Sequence, residues 1–434
     1  MTEETLFPLG SSGKSSGNAP GEGIPRFQRA QRNQIEIMQT DLDSLLDDEH
    51  QARTVWNFVE RADLSLLYKK IHAYEGGVGR SPIDPKILLA LWLYATLDGV
   101  GSARELARSS EEHIAYRWIC GGVSVNYHTL ADFRSKSGDV LNELLTESVA
   151  CLRMAGAVTM MRVAHDGMRV RANAGSDTFR RKDKLEHFLK EAEQQVKSLR
   201  DELDEDPAAG GARVKAARKR AADERLKRVK DALDQYPGVH AKRKKDKDGA
   251  RVSVSDPDAR RMHMADGGFR PAYNVQLTTD TASQVIVEAQ ISQSNSDVGQ
   301  LRAAVERIEA RHNLVPKEVL ADGGFAKDDD VVALTKSCTV YMPVPELKTH
   351  SGQAVKPRTD EPVEIRKWRE RMETEEAKRI YKERAATAEC VNALARNRGL
   401  QQFPVRGVEK AQAVLLLFAV AHNLMRMKTL LGNR

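Results

Sequence analysis

The segment that most constrains this chain reads Val-Leu-Ala-Asp-Gly-Gly-Phe at residues 319–325. A short apolar run that ends in a carboxylate predicts an acid at the end of a buried strand. The two glycines permit a sharp turn and a close approach of backbone to a ligand. Taken alone, the pattern is also typical of an ordinary Asp-Gly turn. The choice therefore depends on whether other acids can reach Asp322.

Two further segments offer such acids. Residues 163–167, Val-Ala-His-Asp-Gly, form another apolar run that ends in Asp-Gly. This pattern predicts Asp166 at a strand end. A helix predicted from about 365 to 398 carries Glu389 among small residues that permit close approach to a sheet, although most of this helix is typical of a charged, solvated surface. Arg396 follows Glu389 by seven residues, on nearly the same helix face. Two strand-end aspartates and one helical glutamate could converge on a metal site.

The order of the elements around these acids predicts the fold. A β-hairpin is predicted over 273–289, an amphipathic helix over 297–308, a further helix over 328–335 and a strand over 339–343. Strand, hairpin, helix, strand, helix, strand, helix gives a mixed sheet flanked by helices, which is the order of an RNase H-like core. We therefore expect an α/β (α+β) catalytic domain over residues 158–430.

A helical insertion interrupts this domain after its first strand. Apolar residues recur at spacings of four and three from Leu185 to Leu203, and the stripe resumes from Ala222 to Leu233 after Pro207 and two glycines. This heptad stripe predicts an antiparallel helical hairpin arm over 178–250, with its second helix ending at residues 236–238. A solvated hairpin accounts for the pattern, and basic residues 242–245 could add phosphate contacts.

The chain before residue 150 predicts a leader and a helical domain. Gly, Ser and Pro dominate residues 7–25, so we expect a disordered leader over 1–30. From 31 to 150 the pattern is helical, with a capped central helix starting at Asp84-Pro85 and capping boxes at 102–105 and 129–132. Short capped helices in series are typical of helix-turn-helix DNA binding and equally of an all-helical packing domain. Arg104, Arg108, Arg117 and Arg134 are available for phosphate contacts, and Arg104 and Arg134 are the chosen DNA-binding candidates.

Three further aspartates and one histidine lie in patterns like those of the candidate acids, but we predict structural roles for them. Asp266-Gly267-Gly268-Phe269 repeats the tetrapeptide at 322–325, but it follows a polar connection, so we expect a loop turn there. Asp280 falls in a predicted hairpin turn and Asp297 at a predicted helix start, where Asp is common for structural reasons. His165 lies beside Asp166 but on the opposite strand face, which favours a packed or solvated histidine over a metal ligand.

Three carboxylates on rigid elements suit phosphodiester chemistry. Cleavage or strand transfer needs an activated oxygen nucleophile and relief of charge on the leaving oxygen, which two Mg²⁺ ions roughly 3.5 to 4 Å apart can supply. Mg²⁺ prefers hard oxygen ligands and keeps several waters, so a few carboxylates suffice. We expect two Mg²⁺ ions, with Mn²⁺ as a substitute.

Charge, cysteine spacing and hydropathy limit the binding partners and the cellular location that we expect. The 434 residues carry 68 Lys and Arg against 62 Asp and Glu, and the net charge of +6 leans towards a polyanionic partner. The cysteines lie far apart with no CxxC pair, which supports neither a zinc ribbon nor a disulfide framework. The longest apolar run, 413–421, is too short to span a bilayer, and the N-terminus lacks a signal-peptide pattern. We expect a cytoplasmic protein with no membrane partner.

Ordered motifs occur in both parts of the chain. They are residues 79–85, 92–94, 102–106 and 128–134 of the helical block, and 166–167, 273–276, 321–325, Tyr381, Arg384, Glu389, 406–407 and 422–424 of the catalytic block. With these motifs the chain resembles the DDE transposases of bacterial insertion sequences, in particular the group whose last acid lies in a Tyr-Arg-Glu-Lys signature. The motifs span most of the chain.

The resemblance implies that Asp166, Asp322 and Glu389 form the acidic triad that holds the metal ions. It places Tyr381, Arg384 and Arg396 like the other members of the signature, and we expect these three to contact DNA. Arg396 replaces the signature's lysine, and Arg384 lies one residue further from Glu389 than is usual, while Phe325 stands where tyrosine is frequent.

The hypothesis is a transposase that cleaves and joins insertion-sequence ends. Its partner would be double-stranded DNA with terminal inverted repeats, bound by a homodimer, in a bacterial cytoplasm and on the nucleoid when DNA-bound. The alternatives are a DNA-binding protein on an inactive transposase fold, a plain metal-dependent nuclease, and a coiled-coil scaffold built on the arm. Intact acids at all three positions argue against an inactive fold.

Overall fold

The computed structural model of the protein describes residues 41–69, 71, 81–205, 212–243, 249–345 and 361–432. The predicted leader over 1–30, the interruption at 207–211 and part of the basic run at 242–245 lie outside the described residues.

The region before residue 155 is helical. It comprises α1 (Gln51–Arg61), α2 (Ser65–Tyr68), α3 (Pro85–Leu97), α4 (Ala103–Glu112), α5 (Ile114–Cys120), α6 (Tyr127–Lys136) and α7 (Gly138–Met154). The predicted caps of α3 and α4 are confirmed, because the side chains of Asp84 and Ser102 accept hydrogen bonds from the first turns of these helices. The prediction at 129–132 is wrong in register: Asn126 caps α6, so Thr129 lies inside the helix.

The rest of the chain alternates strands and helices. In chain order it contains β1 (Arg162–Arg171), β2 (Phe179–Arg180), α8 (Lys182–Glu205), α9 (Ala212–Ala241), β3 (Val252–Ser253), β4 (Arg260–His263), β5 (Phe269–Asp280), β6 (Ile286–Ser292), α10 (Gln300–His312), β7 (Glu318–Ala321), α11 (Asp328–Leu334), β8 (Thr339–Tyr341), α12 (Val363–Glu373), α13 (Glu375–Arg384), α14 (Cys390–Asn397) and α15 (Val408–Leu431). A π-helical turn, Ala385–Glu389, joins α13 to α14.

Six of these strands form one mixed sheet. Strand β1 lies at its centre, antiparallel to β5 on one side and parallel to β7 on the other, and β8 continues the sheet parallel to β7. Strands β4 and β6 pair antiparallel with successive parts of β5. The predicted hairpin is therefore confirmed as β5 and β6. Strands β2 and β3 form a separate two-stranded sheet at the base of α8 and α9.

Three predicted boundaries are corrected by the structure. The single helix expected over 365–398 is divided, because Thr374 ends α12 and its side chain caps α13, and the π-helical turn follows. Helix α9 continues through Pro237 to Ala241 rather than ending at 236–238. Helix α10 begins at Gln300 after Gly299, so Asp297 is not its cap.

Helices α8 and α9 are antiparallel. Glu202 pairs with Arg218 at 3.0 Å and Glu191 with Arg225 at 3.3 Å, so residues later in α8 meet residues earlier in α9. Exposed pairs of this kind contribute little stability each. The buried contacts at the base, which include Leu185, Ala232 and Val252, anchor the helices to the small sheet.

Helix α15 forms part of the main core. It is apolar and long enough to cross a membrane by length and composition alone, but 56% of its most apolar window is buried inside the protein. It packs against α3, α7 and β6. One continuous core contains side chains of the N-terminal helices, of β1 and β5, and of α15, including Trp92, Val170 and Phe418. The hydropathy of α15 is therefore that of a core helix.

Candidate active site

The three predicted acids surround one arginine. The guanidinium of Arg384 lies 3.1 Å from Asp166 Oδ1 and 4.0 Å from Asp322 Oδ2 through Nη2, and 2.8 Å from Glu389 Oε1 through Nη1. These residues come from β1, the end of β7 and two helical segments, and more than two hundred positions separate the first from the last. We call Asp166, Asp322, Glu389 and Arg384 the acidic centre.

The sequence predicted Asp166 at the end of a strand. This is wrong, because Asp166 lies in the middle of β1. The parallel pairing of β1 with β7 ends at His165 and Ala321, while the pairing with β5 continues to Arg171. Asp166 is thus the first residue of β1 beyond its parallel neighbour. Burial raises the pKa of the Asp166 carboxyl, and the charge of Arg384 and the Gly167 N–H partly oppose that rise.

Asp322 directly follows β7, as predicted. Its side chain accepts a hydrogen bond from the Gly324 N–H and caps a short 3₁₀ turn over Gly323–Phe325. The turn anchors Phe325, which is 2% exposed and contacts the ring of His165 edge-on at 4.9 Å. The Asp322 side chain itself remains 59% exposed. A buried aromatic ring therefore fixes the turn while the carboxylate stays open to solvent.

The repeated tetrapeptide at 266–269 has a different environment. Asp266 lies in the turn between β4 and β5, where Gly267 and Gly268 both have positive φ angles. It pairs with Arg270 at the surface, and Phe269 is 58% exposed. The predicted loop turn is confirmed, because only the copy at 322–325 follows a buried strand.

The π-helical turn explains the extra residue between Arg384 and Glu389. In an α-helix, residues five apart point about 140° away from each other, since each residue turns the helix by about 100°. A π-helical turn is hydrogen-bonded from i to i+5 and brings such residues near one face. The 2.8 Å contact between Arg384 and Glu389 follows from this geometry. The insertion seen in the sequence is therefore absorbed locally.

Asn392 is a site residue that the sequence reasoning missed. Its Nδ2 donates to Asp166 Oδ2 at 3.0 Å, and the residue is 5% exposed. Its Oδ1 is buried and has no hydrogen-bond partner among the described residues. The available signal was its spacing, because Asn392 follows Glu389 by three residues and so shares its helix face.

A second polar cluster lies on the opposite face of β1. Its members are His165, Arg169, Asn274, Gln276, Thr278 and Asp297, which we call the network face. Gln276 Nε2 donates to Asp297 Oδ1 at 3.0 Å, and Arg169 pairs with Asp297 at 2.9 Å. His165 is fully buried between Thr278 and Gln276, as the packed alternative predicted, and burial lowers its pKa to about 4.

Gly167 lies under this network. A Cβ at that position would lie 2.7 Å from Asp297 Oδ1 and 2.7 Å from Gln276 Nε2. No real Cβ tolerates such contacts, so the network requires glycine after Asp166 for a steric reason. The Asp-Gly pair in β1 is therefore not a turn, although it looks like one in the sequence.

The predicted DNA contacts differ in their accessibility. Arg396 and Arg104 are exposed, and Arg104 also stacks over the Tyr127 ring. Tyr381 is half-buried near the acidic centre, and burial together with the nearby carboxylates raises its pKa. Arg134 is 6% exposed, with its guanidinium over Trp92 and bonded to the Gly101 carbonyl. We therefore assign Arg134 a structural role and leave it out of the proposed DNA contacts.

Comparison with known families identifies the chain. A family model described as "Transposase domain (DUF772)" matches residues 40–136, and one described as "Transposase DDE domain" matches residues 333–428. The chain is a DDE transposase of the insertion-sequence type. It is thus an enzyme of DNA cleavage and strand transfer. The second match contains Glu389 but neither aspartate. No curated protein and no solved structure matched the chain.

DDE transposases generally use divalent metal ions, and the donors of the acidic centre fit such an ion. Asp166, Asp322 and Glu389 offer hard carboxylate oxygens, and the free Oδ1 of Asn392 is a further oxygen beside Asp166. Within the described ranges, no three acidic, His or Cys side chains are already gathered to hold an ion. In this transposase the Arg384 guanidinium contacts all three carboxylates instead.

Proposed function

We propose that this transposase cleaves the ends of its insertion sequence and joins them to target DNA, with Mg²⁺ as the cofactor. Asp166, Asp322 and Glu389 would hold two ions, and Mn²⁺ could replace Mg²⁺. The convergence of these three carboxylates within 4.0 Å of the Arg384 guanidinium supports this assignment. When bound, the ions would activate the attacking oxygen and relieve charge on the leaving oxygen.

The protein's own side chains would position these groups. Asn392 holds Asp166 Oδ2, and the π-helical turn aims Glu389 at the same space. Exposed Arg396, and Tyr381 near the acidic centre, would contact the phosphate backbone. Such fixed charges and positions are the main means by which enzymes promote phosphoryl transfer.

We further propose that residues 158–430 form an RNase H-like catalytic domain and that 178–250 is an arm inserted in it. The strand arrangement supports the first point, because β1 is central, with the β5–β6 hairpin on one side and parallel β7 and β8 on the other. The helical domain over 31–150 would hold terminal inverted repeats through Arg104 and its neighbours. A homodimer would pair the two ends on the bacterial nucleoid in the cytoplasm.

The test is a cleavage and joining assay with Mg²⁺ and DNA that contains the gene and its flanking sequence on both sides. Asp322→Asn should lower cleavage by about 10²- to 10³-fold or more, because it removes a charged ligand at the reacting centre. Asp266→Asn, in the duplicate tetrapeptide, should retain wild-type activity. Equal activity of the two variants would reject the assignment, and cleavage without joining would instead identify a plain nuclease.

A further inference from the structure

Arg384 was expected to contact DNA, but its guanidinium faces inward. The residue is 9% exposed, and both terminal nitrogens lie against carboxylates of the acidic centre. Its Nε is buried and has no partner in the part of the chain that the structure describes. In this arrangement both terminal nitrogens of Arg384 already contact carboxylates of the chain itself.

The position of Arg384 has an electrostatic cause. Three carboxylates that share one site repel one another, and a cation within 4–6 Å of them stabilises their charged forms. Arg384 supplies that cation from within the chain. A divalent ion held by the same carboxylates would need the oxygens that the guanidinium now contacts, so the two cations compete for one set of ligands.

The acidic centre is open to solvent on one side. The side chains of Asp322 and Glu389 are 59% and 57% exposed, so solvent reaches the centre from the side of these two carboxylates. Arg384 is the last residue of α13, and outward rotation of its long side chain would free the carboxylates. Outside the centre, a phosphate is the natural partner of a guanidinium, because both geometries allow paired hydrogen bonds.

Resting on the function proposed above, we infer that Arg384 is an internal counter-ion that competes with divalent metal for the acidic centre and is withdrawn by the DNA backbone. Metal binding and DNA binding then favour each other, since each takes one partner of the ion pair. This coupling keeps the centre weakly loaded with metal until DNA is bound, and it limits cleavage away from the proper complex. Linkage requires the effect to be reciprocal.

The experiment measures Mn²⁺ binding to the full chain by calorimetry, with and without duplex DNA. Without DNA, R384Q should bind Mn²⁺ about tenfold tighter than the wild type. A factor of ten equals a shift of one pKa unit, which is a typical effect of one neighbouring opposite charge on a carboxylate. DNA should tighten Mn²⁺ binding to the wild type and change it much less in R384Q. Lys382→Gln removes the same charge from an exposed position of α13 and should leave Mn²⁺ binding unchanged.

The outcomes separate the two proposals. If R384Q binds Mn²⁺ more weakly than or equally to the wild type, Arg384 only positions the carboxylates and the inference is wrong. If Asp322→Asn leaves Mn²⁺ binding unchanged both in the wild-type protein and in R384Q, the metal site itself is wrongly placed and the proposed function fails. Should R384Q not fold, Arg384→Met removes the charge and keeps a long, flexible side chain. It should bind Mn²⁺ tighter than the wild type, and weaker or equal binding would overturn the inference.

Discussion

Adjacent residues of β1 belong to two clusters with opposite properties. His165 points into the network face, where none of the buried side-chain nitrogen or oxygen atoms of its six members lacks a partner among the described residues. Asp166 points into the acidic centre, where Arg384 Nε and Asn392 Oδ1 are buried and have no partner in the described part of the chain. Two of the three carboxylates there are mainly exposed. The alternation of side chains along a strand separates the two within one residue.

The difference assigns distinct tasks to the two faces. A fully satisfied buried network is rigid and specifies one arrangement of strands, whereas an incomplete one is ready to accept another partner. Gln276 Nε2 donates to Asn274 and Asp297, so Gln276 Oε1 must accept from His165 Nε2. His165 therefore carries its proton on Nε2. The network stabilises the position of β1, the strand that contains Asp166.

The largest expected effect on stability comes from opening the network face. Asp297→Ala should lower the free energy of unfolding by about 3 kcal/mol, because it leaves the Arg169 guanidinium without its carboxylate. Asp322→Ala in the acidic centre should cost less than about 1 kcal/mol, since that side chain is mainly exposed. Urea unfolding of both variants measures the contrast. Similar losses would remove the distinction between the two faces.

Acidification should act on the network face next. His165 has a folded-state pKa of about 4 against 6.5 when unfolded, because burial disfavours its charged form although the bond to Gln276 opposes this. As the pH falls from 6.5 to about 4, the unfolded state takes up a proton that the folded state refuses, so stability is lost. The share of His165 is about 3 kcal/mol at 1.36 kcal/mol per pKa unit.

This pH dependence can be separated by residue. Unfolding followed from pH 7 to pH 4 should show a smaller slope in His165→Gln than in the wild type. Buried His422, with a pKa of about 4, should account for part of the slope that remains. An unchanged slope in His165→Gln would show that His165 is not held neutral.

A smaller loss than that of Asp297→Ala is expected from a change at Gly167, which lies on the network side of β1. Gly167→Ala should cost about 1 to 3 kcal/mol, because the new methyl group meets Asp297 and Gln276 and forces the network to shift. Gly324→Ala is the matched control, since a Cβ there meets no heavy atom of the described chain within 4 Å. Thermal unfolding compares the two. A Gly167→Ala variant as stable as Gly324→Ala would mean that the network yields easily.

The sequence predicted these parts unevenly. The strand before Asp322 and the hairpin of β5 and β6 follow from local patterns, because apolar runs and period-two alternation specify strands directly. Asp166 was placed at a strand end, since its Asp-Gly pair resembles a turn, yet the glycine is required by Asp297 and Gln276 from distant segments. Asp297 was expected to cap a helix, because Asp is common at helix starts. Its observed partners, Arg169 and Asn274, lie in β1 and β5, which are distant in the sequence.

The sequence by itself determined the acids, their ordered motifs and the helices and strands that carry them, because these depend on residue type and on spacing along the chain. The tertiary structure alone decided that Arg384 lies among three carboxylates, that Asn392 joins Asp166, and that Arg134 is buried over Trp92. Each of these contacts joins separate elements or depends on a π-helical turn. Such geometry arises when the elements pack against one another, and no local pattern encodes it.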